Sequence, residues 1–260
     1  STSQADGNGG ETMKKLVQMF LVISVVSALL LYAISRLNTS QGFTSSNTLT
    51  IYNWGDYIDT DLIERFEEET GIKVIYETFD SNEAMMTKIE QGGTTYDIAI
   101  PSEYMIDKMR EEDLLVPLDH SKLPNLKNID ERFIDLPFDP ENKYSVPYFW
   151  GTVGIVYNSK MLGGKEITAW ADLWDKDLKN EILLTDGARE VMGMGLNSLN
   201  YSLNDIDEEH LQEAKSKLDA LTPNIKAIVG DESRMLLEAQ EAAIGLVWSG
   251  VASEIMAENE

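Results

Sequence analysis

The run LTIYNWGDYIDTDLIERFEEETGIKVIYETFDSNEAMMTKIEQGGTTYDIAIPSEYMIDKMREED, residues 49–113, repeats one unit and decides the fold. LTIYNW predicts a strand. DTDLIERFEEETG predicts a helix with Leu62, Ile63 and Phe66 on one face, Asp59 or Thr60 at its N-cap and Gly71 as its stop. IKVIYETF predicts a second strand, followed by a helix over NEAMMTKIEQ that Asp80 and Glu83 can cap reciprocally and that Gly92-Gly93 ends. YDIAIP predicts a short buried strand, and EYMIDKMREED a third helix. The order βαβαβα is the signature of an open α/β sheet with mainly parallel strands.

In such sheets ligands bind at the carboxyl ends of strands, on the loops that lead into helices. Trp54-Gly55-Asp56-Tyr57 fill the first of these loops and Pro101-Ser102-Glu103-Tyr104 the third, so both project onto one rim. Large rings on a rim are costly unless something covers them; the plainer alternative is that Trp54 and Tyr57 fold back as a lid on the core. The second half repeats the arrangement. YSVPYFWGTVGIVYN, residues 144–158, reads as extended segments around a glycine-containing bend and suits a hinge between two lobes. EILLT then runs into DGAREVMGMGLNSLN, with Asp186 placed as an N-cap and Glu190 one turn deeper. AAIGLVW runs into SGVASEIMAEN, with Trp248 at the strand's end. Helix N-termini facing a cleft make it positive, so a cation site there requires added carboxylates, and Asp56 and Glu190 are placed to supply them.

Bulk composition narrows the classes. The 260 residues are 43% hydrophobic and 25% charged, enough for a real core in one large or two smaller domains. A net charge of −24 repels nucleic acid and anionic headgroups and welcomes a cationic partner. With no cysteine there is no disulfide, thiolate zinc site, cysteine nucleophile or lipidated N-terminal cysteine. Residues 1–37 read as a leader: a polar stretch, Met13-Lys14-Lys15, then about 20 uncharged residues over 16–35, the length of a membrane span. The lysines favour a cytoplasmic start and an exported remainder, as an uncleaved anchor in preference to a cleaved signal peptide. Residues 38–48 read as a flexible polar linker, 49–151 as a first α/β lobe and 152–260 as a second.

Rings and carboxylates describe a ligand. Buried ammonium groups need carboxylates to offset several kcal/mol of desolvation. Aromatic faces add roughly 0.5–2 kcal/mol per cation contact and can sandwich an aliphatic stem at about 0.8 kcal/mol per CH₂. The ligand so described is a slender alkyl chain with more than one positive nitrogen, as in the polyamines.

YNWGDYI, ETGIKVIYETFDSNEAMMTKI, YDIAIPSEYMIDKM, FDPENKYSVPYFWGT, ITAWADLW, LLTDGAREV and IGLVWSG, in that order from Leu49 to Ser253, resemble the spermidine/putrescine-binding proteins of ABC-type polyamine importers. The resemblance implies a two-lobed type II periplasmic-binding-protein-like fold that closes on its ligand and delivers it to a membrane permease and its ATPase. It implies Trp54, Tyr57, Tyr104 and Trp248 as aromatic walls around the methylene chain, Ser102 as a polar contact, and Asp56 and Glu190 as the amine-binding carboxylates. Asp56 stands where a family member has glutamate, and Gly187 where some members carry a binding aspartate that Asp186 or Glu103 would have to replace. Family members also continue well past Glu260, returning to the first lobe with further site residues, which implies a C-terminally truncated chain with an incomplete second lobe and return strands.

Other readings use the same residues. A binding protein for a different organic cation, or for ferric iron held by tyrosines and carboxylates, shares the architecture. Asp56 with Glu190 could form the acid/base pair of a glycoside hydrolase with rings as sugar platforms. Against an enzyme, His120 and His210 lie in acidic segments, and no G-x-S-x-G, P-loop or HExxH motif occurs. The remaining features have ordinary uses: Met85, Met86, Met105 and Met109 as core, Trp170 and Trp174 as packing between helix and sheet, and acidic runs as solvated helix faces.

Overall fold

Trp54, Tyr104, Glu190 and Trp248 all stand at or just beyond the carboxyl ends of strands, and two sheets place them there. The computed structural model describes residues 17, 19, 25–27 and 47–259. Most of the leader and linker, including most of the expected span 16–35, lies outside these. No helix among the described residues is long and apolar enough to cross a membrane.

The chain divides into two compact units. One contains the residues up to Leu49 together with Arg65–Val74. Within it Asn47 ties a helix end to a strand start: its Nδ2 donates to Gly71 O at 2.7 Å and its carbonyl accepts from Lys73 N–H at 2.8 Å. Glu67 adds to this by accepting from Lys73 Nζ at 2.8 Å and from Val74 N–H at 2.6 Å.

The other unit, Thr50–Glu64 and Ile75–Glu260, contains most of the elements of both sheets and all the candidate site residues. Its first sheet has the order β2-β1-β3, from β1 (Thr48–Trp54), β2 (Lys73–Phe79) and β3 (Ile98–Ala99). β1 and β3 are parallel, with Ile51 opposite Ile98. The helices alternate with these strands as the sequence expects: α1 (Thr60–Thr70), α2 (Asn82–Gln91) and α3 (Glu103–Glu111). The four methionines are core: Met85, Met86, Met105 and Met109 are each at most 3% exposed and pack with Tyr52 and Phe79.

The second sheet has the order β4-β7-β5-β6, from β4 (Val153–Tyr157), β5 (Ile182–Thr185), β6 (Ile225–Val229) and β7 (Ile244–Trp248). β5 runs parallel to both β6 and β7. β4 runs antiparallel to β7, with Val153 opposite Trp248 and Tyr157 opposite Ile244. Helix α4 (Ala188–Ser198) follows β5, α5 (Glu208–Leu221) leads to β6, α6 (Glu232–Glu238) leads to β7, and α7 (Ser249–Glu258) follows it. Both faces of this sheet are covered, which is why β5 and β7 read as unbroken apolar runs. Ile182, Leu184, Ile244 and Leu246 join Met194 and Leu221 in one cluster, while Leu183 and Val247 join Leu237 and Ile255 in another. Trp170 and Trp174 pack against the first cluster, and Trp174 Nε1 donates to Lys217 O at 2.7 Å.

Several local expectations are corrected. Asp59 does cap α1, accepting from Asp61 N–H at 3.0 Å. The cap of α2 is Ser81, not the Asp80/Glu83 pair: the helix begins at Asn82, and Ser81 Oγ accepts from Ala84 N–H at 3.2 Å. Asp186 does not cap α4; Gly187 occupies that position and makes no side-chain bond. The apolar face of α1 is not buried by any described element, and Leu62 and Phe66 stay exposed. Of the expected hinge segment only Val153–Tyr157 is strand.

Candidate functional site

β1 ends at Trp54, and the chain turns through Gly55 and Asp56 before α1. Asp56 takes the left-handed conformation, φ 54°, which a short polar side chain tolerates better than most. This turn aims Tyr57 back towards Trp54, ring centroids 6.1 Å apart, while Trp54 rests on Phe79 at 4.6 Å. Trp54 is therefore partly the lid that the plainer reading expects, but it is only half-buried. Residues 148 and 149 add two rings: Tyr148 OH donates to Tyr57 O, Phe149 lies 5.7 Å from Tyr57, and the two are stacked at 4.1 Å.

Across from this loop stands Asp231, between β6 and α6. A Cβ on Gly55 would lie 2.0 Å from Asp231 Oδ2, so the absence of a side chain at position 55 is what lets the two approach. Beside them is a cavity of about 260 Å³ lined by Thr78, Phe79, Asp80, Asp231 and Glu232. Burial first, and then the charges of Asp56, Asp80 and Glu232, push the Asp231 carboxyl above its ordinary value. This end of the site is an anionic pole, with like charges held together at a cost.

A direct test follows. Gly55→Ala must turn the Asp231 carboxylate towards Asp80 and Glu232 or part the two loops. The expected result is about tenfold weaker binding of a cationic ligand, about 1.4 kcal/mol. Equal affinity in Gly55→Ala would show that the contact has no part in binding.

The third loop is organised by Asn82, which is only 2% exposed. Its Oδ1 accepts from Ser102 N–H at 2.9 Å and its Nδ2 donates to Ser102 Oγ at 3.1 Å, so the Ser102 hydroxyl is already engaged. Ser102 is the cap residue of α3, although its side chain makes no capping bond. Tyr104, in the first turn of α3, donates its OH to Glu83 Oε1 at 3.1 Å. Burial, followed by the charges of Glu190 and Glu83, raises its phenol well above the ordinary range.

Glu190 comes from the second sheet's side, in the first turn of α4. Its carboxylate folds back over Gly187, where a Cβ would lie 2.1 Å from Oε2, and it accepts from its own backbone N–H. Burial is the main reason its pKa is raised; Glu83 and Glu103 add to the rise, and Arg189 offsets part of it. Glu190 thus takes up the space a side chain at 187 would need. Trp248 closes β7, half-buried, its backbone in register with Val153; among the described residues its ring stacks on none of the other candidates.

The structure accordingly brings Trp54 to Tyr57 and Tyr104 to Glu190, and sets Asp56 near Asp231. It does not join Trp248 to them by contact, and it turns Ser102 inward to Asn82. Asp231, Glu83, Tyr148 and Phe149 are additions that the sequence reading passed over. For Asp231 a signal existed, since IKAIVGD is a strand followed by a carboxylate at its carboxyl end; for Glu83 the capping assignment concealed it.

Residues 61–260 match the family model of the bacterial extracellular solute-binding proteins. The chain belongs to that family. Among its relatives, the spermidine/putrescine-binding periplasmic protein of Salmonella typhimurium is 44% identical over 210 residues, 80% of this chain and 60% of its own length. The putrescine-binding periplasmic protein PotF of Escherichia coli is 34% identical over 251 residues, 92% of this chain and 66% of its own. The solute-binding protein described here therefore spans about 60% of the length of the first of these relatives. A solved chain from Listeria monocytogenes is 66% identical with a TM-score of 0.78, covering 82% of this chain and 66% of that one. The spermidine/putrescine substrate-binding protein PotD of Streptococcus pneumoniae, solved with calcium and HEPES, is 60% identical with a TM-score of 0.64 over the same shares. The fold is the type II solute-binding one that the sequence implies. These relatives and neighbours are binding proteins, not enzymes, so the glycoside-hydrolase reading finds no support among them.

Proposed function

We propose that this solute-binding protein captures a polyamine, spermidine or putrescine, outside the cytoplasm and hands it to an ABC permease and its ATPase. The observation that carries the reading is a pair of anionic poles, only partly offset by Arg189 and Arg234, with rings beside each. Glu190, raised in pKa by burial and by neighbouring carboxylates, faces Tyr104 at one end. Asp231 with Asp56 stands at the other, beside Trp54 and Tyr57. Like charges held together in half-buried positions are relieved by a ligand bearing two or more positive nitrogens.

In this reading residues 49–151 and 152–260 act as the two lobes. Trp54, Tyr57, Tyr104 and Trp248 wall the methylene chain, and Asp56 and Glu190 take the ammonium groups. Ser102 serves by fixing the third loop through Asn82 rather than by touching the ligand. Residues 16–35 anchor the protein to the membrane, at the cell surface or in a periplasm. The Salmonella typhimurium and Streptococcus pneumoniae relatives, named as spermidine/putrescine-binding proteins, agree with the ligand class.

Calorimetric titration tests it. Spermidine and putrescine should give saturable heats, and a hexose or ferric citrate none. A saturable heat from either of the latter, with none from the amines, would overturn the polyamine reading.

A further inference from the structure

Arg189 stands in the first turn of α4, directly before Glu190. A cation there is on the wrong end of the helix dipole, so helix stability does not explain it. Its guanidinium carbon lies 5.1 Å from the centroid of the Tyr104 ring, which belongs to α3 on the first sheet's side. Its remaining described bond is to a neutral group, Nη2 donating to Asn204 Oδ1 at 2.5 Å. Among the described residues no carboxylate forms an ion pair with it. Around it stand Glu190 itself and, through Glu190 and Tyr104, the charges of Glu83 and Glu103.

An aromatic face can hold one cation at a time, because a second would meet both a filled face and a like charge. We propose that Arg189 is the cleft's resident cation: it occupies the Tyr104 face beside Glu190, where the far end of a ligand docks, and a ligand reaching that face must displace it from the ring into solvent. This rests on the amine-binding reading and deepens it into a rule of selection. A diamine spanning both poles displaces Arg189. A monoamine docks at the Asp56 and Asp231 end and leaves Arg189 in place. Arg189 thus screens the Glu190 pole until a second positive nitrogen arrives.

The test compares putrescine with n-butylamine on wild type, Arg189→Gln and Arg234→Gln at fixed salt. Arg234 is a charge-matched control, since its charge also reaches Asp56. Arg189→Gln should bind putrescine about tenfold more tightly, because no resident cation has to leave, and should bind butylamine unchanged. Arg234→Gln should shift both amines alike. Equal or weaker putrescine binding by Arg189→Gln, or an equal gain for both amines, overturns the inference while leaving the amine reading intact. Failure of wild type to bind either amine overturns that reading, and this inference with it. A second readout is independent of variant affinity. In the ligand-free protein the Arg189 Nε–Hε resonance, assigned by its loss in Arg189→Gln, should be shifted upfield by the Tyr104 ring and should lose that shift on saturation with putrescine. A resonance that stays upfield at saturation means that the ring keeps its arginine, and the inference falls.

Discussion

Glu190→Gln is expected to remove most amine affinity while leaving the ligand-free protein at least as stable as before. Glutamine keeps the shape but removes the charge that offsets a buried ammonium. Loss of one partner from such a pair costs about 2–5 kcal/mol, or about thirtyfold to several thousandfold in affinity. Stability moves the other way. The Glu190 pKa is raised by burial and by Glu83 and Glu103, so the native state holds its proton more tightly than the unfolded chain does. Its charge then costs stability at neutral pH, and that cost fades as pH falls through the raised value towards the ordinary carboxylate range. Neutral glutamine is free of the cost.

The same sign governs binding. Wild-type affinity should fall as pH is lowered into the region just above the ordinary carboxylate range, and the fall should be shallower in Glu190→Gln. Glu64→Gln, exposed on α1, is the matched control and should change neither quantity. Titration with spermidine beside thermal melts without ligand separates the roles. If Glu190→Gln melts earlier in proportion to its lost affinity, the carboxylate serves the α4 N-terminus, through its bond to its own backbone N–H, and not the ligand.

Trp54→Ala is the second large effect. One side of the indole rests on Phe79 at 4.6 Å, while the residue as a whole stays half-exposed at the strand's end. The exposed side is the one a methylene chain can cover. Losing a cation–π contact together with one or two stacked CH₂ groups amounts to roughly 1–3 kcal/mol of binding, or about fivefold to 150-fold. The saturable change in tryptophan fluorescence on adding spermidine should shrink with it. Because the ring also packs on the core, the alanine variant should lose some stability, and Trp54→Phe should restore the melting temperature along with most of the affinity. An alanine variant that melts earlier yet binds as wild type would make Trp54 a lid only.

What the amino-acid order determined by itself is everything with a local period or a local chemistry. Apolar residues at strand and helix spacings place β1, β2, α2 and α3, and bury Met85, Met86, Met105 and Met109, because a helix or strand repeats over a few residues and exposes its pattern along the chain. The rule that ligands meet the carboxyl ends of strands finds the Trp54 loop, Tyr104, Glu190 and Trp248 without knowledge of their distances. Caps were legible only to within a residue. Asp80, Ser81 and Glu83 could all serve, and the exact start of the helix chose Ser81, which left Glu83 free to accept from Tyr104.

Only the tertiary structure decided which residues face each other. β4 runs against β7, its one neighbour at the edge of the sheet, and no periodicity within VGIVY records a strand's direction. Asp231 meets Gly55, Glu190 meets Tyr104, and Arg189 lies on the same ring, each pair far apart in the chain. Their energies come from Coulomb terms and burial, which depend on distance through space and on the exclusion of water, and neither quantity exists until the two sheets have folded.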